Sequence, residues 1–103
     1  MRILTYEKCP VTITLNIIGG KWKPVILWNL SEGPLRFSEL KKSIPAINQM
    51  TLTKQLRELE RDGMILRNVY PEVPVRVEYS MTETGMSVIP VLVSLCLWGI
   101  EYS

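Results

Sequence analysis

The stretch NQMTLTKQLRELERDG, Asn48 to Gly63, carries two faces of different chemistry if it is helical. At about 100° per residue, Leu52, Leu56, Leu59 and Gly63 fall within an arc of about 60°. Met50, Lys54, Arg57 and Arg61 fall within a similar arc on the opposite side. Asn48 suits an N-cap and Gly63 a left-handed C-terminal cap. A helix that buries leucines and shows solvent three cations is either an ordinary surface helix or one built to enter a groove lined with phosphates. The segments on either side choose between these.

Immediately upstream, LRFSELKKSIP predicts a helix of about two turns stopped by Pro45, and PAIN is a tight connection. Immediately downstream, MILRNVY and VRVEYSM are short runs of strand-forming residues, joined by PEVP, whose prolines favour a turn. A short helix, a turn, a longer helix and a strand pair make a helix-turn-helix with a wing. Further out, CPVTITLNIIGG reads as a helix opened by Pro10 and stopped by Gly19 and Gly20, although its apolar residues alternate enough to suit a strand. KWKPVILWNL predicts a second helix with Pro24 in its first turn. Thr82 looks like the N-cap of a long apolar helix reaching the C-terminus. The expected fold is mostly α with a small β-hairpin, one domain over residues 1–103. The helix-turn-helix spans about 37–62, the wing about 64–81 and the terminal helix about 82–102.

Composition narrows the function classes. The chain has 103 residues, 47% of them apolar, which suits one domain with apolar surface to spare. Twelve Lys and Arg against ten Asp and Glu leave a formal charge of +2, so nucleic-acid binding requires local clustering of cations. Histidine is absent, and there is neither a glycine-rich phosphate loop nor a metal-ligand cluster, so an enzyme is the least supported class and no cofactor is expected. The start, MRILTYEKCP, has no signal-peptide pattern, and Val88 to Ile100 is too short an apolar run to span a bilayer. A cytoplasmic protein with no membrane partner is the expectation.

The acids Glu58, Glu60 and Asp62 lie in the C-terminal half of this helix. Its N-terminal half offers Gln49, Met50, Thr51, Thr53 and Lys54, groups suited to bases and phosphates, followed by Arg57. Arg36 and Ser38, at the start of the preceding helix, are placed to meet the DNA backbone. Arg76, just past the wing turn, either tracks phosphates or pairs with Glu72 or Glu78; Arg67 reads as a solubilising charge. The last helix is apolar nearly all round, which predicts dimerisation through it and the first helix, with Val11, Leu15, Val88, Leu92, Leu95 and Trp98 at the interface. Trp22 and Trp28 read as core or interface, and Cys96 as a small core residue. Cys9 stands at a helix start beside Lys8, where a thiolate is favoured, while Glu7 opposes this; a semi-exposed, unreactive cysteine is the rival reading.

Over Cys9 to about Gly99, the runs CPVTITLNIIGGKWKPVILWNL, GPLRFSELKKSIPAINQMTLTKQLRELERDGMI and VYPEVPVRVEYSMTETG closely resemble the HxlR-type winged helix-turn-helix regulators. That resemblance implies a bacterial or archaeal DNA-binding transcription factor related to the MarR group, acting as a homodimer through its terminal helices. It places the recognition helix at Gln49 to Asp62 and the wing at Ile65 to Met81. Some members use the cysteine of the CP segment to sense oxidants or electrophiles, and Cys9 occupies that position. The expected partners are therefore a double-stranded operator and a second copy of the chain. A winged helix serving only as a protein-interaction module is the alternative.

Overall fold

The computed structural model describes residues 8–103. In chain order these form α1 (Pro10–Ile18), α2 (Lys23–Leu30), β1 (Leu35–Arg36), α3 (Phe37–Ser43), α4 (Gln49–Arg61), β2 (Ile65–Tyr70), β3 (Arg76–Met81), α5 (Glu83–Ser87) and α6 (Ile89–Tyr102). The prolines sit where a missing N–H costs least: Pro10, Pro24 and Pro90 all fall in the first turns of their helices.

The segment Asn48 to Gly63 folds as its pattern dictates. Asn48 caps α4, its side-chain oxygen accepting from the Thr51 backbone N–H at 2.8 Å. At the other end Gly63 takes φ +75°, a conformation that suits glycine. There the Met64 N–H donates to the Leu59 carbonyl (2.9 Å) and the Gly63 N–H to that of Glu60 (3.0 Å). This paired closure satisfies carbonyls the helix would otherwise leave open. Leu52, Leu56 and Leu59 are all buried, each stabilising the fold by roughly 1.5–3 kcal/mol relative to exposure. They meet Ile26, Leu27 and Leu30 of α2, Leu40 of α3, and Met64 and Ile65 in one core.

The wing is a three-stranded antiparallel sheet in the order β1-β3-β2, where the sequence predicts two strands. Leu35 pairs with Tyr79 and Arg36 with Glu78. A two-residue strand has no periodicity to read, and its only support is the distant β3. The helix expected within LRFSELKKSIP begins at Phe37, where the helix-turn-helix is expected to start, and the Arg36 N–H donates to the Glu39 carboxylate at 2.8 Å. Beyond the wing, the Thr82 hydroxyl lies 2.6 Å from the Gly63 carbonyl oxygen and 2.9 Å from the Gly85 N–H. Gly85 lies so close to the Met64 carbonyl that an added Cβ would stand 2.1 Å from its oxygen. The end of α4, the start of β2 and the start of α5 are thus fastened at one point, which fixes the wing relative to α4.

The terminal helix departs from expectation in three ways. It divides at Val88 into α5 and α6, because Pro90 has no N–H to donate into the preceding turn. Counted together, Glu83–Tyr102 make a 20-residue helical run, long and apolar enough by length and composition to cross a bilayer, longer than the stretch Val88 to Ile100 suggested. Its first half instead packs on the domain, with Gly85 and Leu92 buried and Val88 and Ile89 against the core. Leu92, expected at a subunit interface, is only 4% exposed in the single chain, and Cys96, expected in the core, is exposed. An all-round apolar pattern cannot reveal which side of a helix faces its own domain.

Candidate nucleic-acid interface

The face of α4 opposite its leucines is open. Gln49, Met50, Lys54 and Arg57 are exposed, Met50 to 83%, while Thr51 and Thr53 are half-buried. Gln49, Met50, Thr53, Lys54, Arg57 and Glu58 border one shallow concavity. The Thr53 hydroxyl donates back to the Gln49 carbonyl at 2.9 Å, so toward a base edge it offers acceptor lone pairs and a methyl group. Arg36 and Ser38 are exposed where β1 passes into α3.

Electrostatics sharpen this face. Glu58 reaches the Lys23 ammonium of α2 at 2.6 Å, with the side chains 26% and 8% exposed. The hydrogen bond from Lys23 holds the Glu58 carboxyl below its ordinary pKa; burial opposes this, and the charges of Lys23, Lys54 and Arg61 add to the lowering. Arg61 pairs with Asp62 at 3.2 Å, so it is partly neutralised. Among the described residues Lys54 and Arg57 have no carboxylate within 4 Å. The outward stripe thus narrows from three cations to two, both toward the middle of α4. The Lys23–Glu58 pair, between residues 35 apart in sequence, is a contact that sequence spacing does not signal.

Arg76 is accounted for by the wing itself. Its guanidinium reaches Glu72 at 3.3 Å and Glu78 at 3.4 Å and lies 4.1 Å over the centre of the Tyr70 ring. Of the two readings the ion pairing is the one observed, with Glu78 two residues on along β3 and Glu72 in the wing turn, so Arg76 is engaged within the wing. The wing tip beyond it is apolar, with Val73 and Val75 exposed.

A second surface is apolar. Val11, Ile13 and Leu15 of α1 and Val91, Leu95, Leu97, Trp98 and Ile100 of α6 are all exposed, and the Trp98 ring stacks on that of Tyr102 at 4.9 Å. Leu95 borders two apolar recesses. One lies against Pro24, Val25 and Trp28 of α2, the other against Pro10, Val11, Leu15 and Ile18 of α1. Cys9 stands at the N-cap of α1 and is 6% exposed, more enclosed than the sequence suggested. The Thr12 backbone N–H in the opening turn lowers the Cys9 thiol pKa; burial opposes this, and the Val11 N–H and Thr12 side chain assist. Glu7, expected to oppose thiolate formation, lies outside the described residues.

The profile of the HxlR-like helix-turn-helix family matches residues 17–103. The chain belongs to that family. An HTH-type transcriptional regulator of Methanothermobacter thermautotrophicus is 57% identical over 94 residues, 91% of this chain and 72% of the relative. Among solved structures, a MarR-family transcriptional regulator from Porphyromonas gingivalis superposes with a TM-score of 0.90 at 38% identity, covering 97% of this chain and 98% of the other. The redox regulator HypR in its oxidised form superposes with a TM-score of 0.86 at 46% identity, covering 90% of this chain and 96% of the other. The HxlR-type chain is therefore a winged helix-turn-helix transcriptional regulator, and DNA binding is favoured over a purely protein-interacting role.

Proposed function

We propose that the protein acts in the cytoplasm as a homodimer on a pseudo-palindromic operator, with α4 of each subunit in the major groove. The observation that carries this is that Lys54 and Arg57 have no carboxylate within 4 Å among the described residues, on a face whose lining carboxylate, Glu58, is drawn to Lys23. Lys54 and Arg57 engage phosphates. Gln49, Met50, Thr51 and Thr53 meet base edges, Met50 being suited to a thymine methyl. Arg36 and Ser38 touch the adjoining backbone. Val11, Leu15, Leu95 and Trp98 join the subunits, with Val88 at the edge of that surface. A two-fold axis would set the recognition helices about 34 Å apart, one turn of DNA. Selection of bound sequences from a random duplex pool is expected to return a palindromic consensus with half-sites about 10 base pairs apart. Enrichment of no sequence, or of a single undivided half-site, would contradict the reading.

Cys9 supports a second element of the proposal, response to oxidants. The structural neighbour HypR is a redox regulator, and here the Cys9 thiol pKa is lowered at a helix start within the proposed interface. Its thiolate attacks a small peroxide and keeps one oxygen as sulfenic acid, while the other leaves as hydroxide. A polar group at the start of α1 then alters subunit packing and the separation of the recognition helices. Mild peroxide is expected to lower the operator affinity of wild type and of Cys96→Ser, and to leave Cys9→Ser unchanged. Equal responses of wild type and Cys9→Ser would make Cys9 purely structural.

A further inference from the structure

A second concavity lies between α4 and the sheet. Leu56 forms its floor, Thr53, Arg57 and Glu60 one wall, and Arg67 and Tyr79 the other, around a volume of about 380 Å³. The walls follow from the two periodicities. Thr53, Arg57 and Glu60 recur at i, i+4 and i+7 on one helical face, and Arg67 and Tyr79 are cross-strand partners whose side chains leave the sheet on the same side.

The chemistry of the lining points to an anion. Neither arginine has a carboxylate within 4 Å among the described residues. Glu60 borders the same crevice and offsets one charge, leaving the lining one positive charge in excess. Two guanidinium groups facing a shared recess repel one another until an anion stands between them, and their planar forks suit the two non-bridging oxygens of a phosphodiester. The Thr53 hydroxyl proton is committed to Gln49, so the Tyr79 hydroxyl is the neutral donor available. The recess is continuous with the recognition face through Thr53 and Arg57, which line both.

We propose that this crevice receives one backbone phosphate of the DNA duplex per subunit, clamped between Arg57 of α4 and Arg67 of β2. This rests on the DNA-binding reading above. It assigns binding to Arg67, which sequence spacing alone marks only as a surface charge. One phosphate held by both elements also sets how deeply α4 sits relative to the wing.

The test uses the full chain, the selected operator and an unrelated duplex of equal length. Arg67→Ala is expected to weaken both duplexes by the same factor, about tenfold, and to reduce the log affinity against log salt slope by about 0.9 per subunit. Replacing single phosphates by uncharged methylphosphonate should reveal one position per half-site whose substitution weakens wild type by a clearly larger factor than it weakens Arg67→Ala, in which Arg57 alone still meets that phosphate. Arg67→Lys should keep the salt slope while losing part of the affinity, and it serves in place of the alanine variant if that one does not fold. Wild type that binds the operator with no phosphate position coupled to residue 67 overturns the clamp alone. Wild type that binds no duplex overturns the DNA reading and the clamp together. Saturable, Arg67-dependent binding of inorganic phosphate with unchanged duplex affinity would overturn the clamp by assigning the crevice to a free anion.

Discussion

Leu95→Glu is expected to yield a folded monomer that binds the operator at least about 100-fold more weakly than wild type. Leu95 is 54% exposed in the subunit, so its replacement leaves the core built on Leu52, Leu56 and Leu92 intact. It stands between the two apolar recesses formed with α1 and α2, at the centre of the surface proposed to meet a second copy. In a two-fold interface every substitution occurs twice, and an unpaired carboxylate enclosed there costs about 3–5 kcal/mol. The monomer retains one recognition helix, and engagement of the second half-site becomes a separate bimolecular event. Sedimentation at micromolar concentration checks the assembly and a duplex titration the affinity. A wild type that already sediments as a well-folded monomer would contradict the proposed dimer.

The parts of the fold that sequence makes legible are those fixed by local chemistry. Asn48, the leucine spacing, and Gly63 define α4 because capping, burial and a left-handed closure each act within a turn or two. The hairpin strands are readable for the same reason, since strand-forming runs flank two prolines. What sequence does not disclose depends on partners far along the chain. The two residues of β1 are strand only because Tyr79 and Glu78 lie opposite them. Glu58, at the edge of the outward face, is drawn toward α2 only because Lys23 reaches it. Leu92 and Cys96 exchange their expected environments because an all-round apolar helix carries no mark of its buried side. The same limit applies to the candidate site. The polar face of α4 and the two carboxylate partners of Arg76 are evident from spacing, whereas the meeting of Arg57 with Arg67 at one crevice requires the folded sheet.

The outward face of α4 is proposed to hold DNA through Lys54 and Arg57, which have no carboxylate within 4 Å among the described residues. Lys54 and Arg57 are exposed, and the core lies on the far side of the helix, so their joint replacement by alanine should leave folding intact. Ala is also at least as favourable in a helix as the residues removed. Removing two phosphate-binding cations per subunit is expected to lower operator affinity by about 100-fold or more, about 2.7 kcal/mol. The salt slope should fall by about 0.9 for each phosphate no longer neutralised. The decisive measurement is therefore a titration of operator duplex with wild type and Lys54→Ala/Arg57→Ala across a range of salt concentrations, with the fold of both verified by thermal unfolding. The expected result is a folded double variant with sharply weaker binding and a shallower salt dependence. Equal affinity and equal salt slope for the two proteins would contradict it.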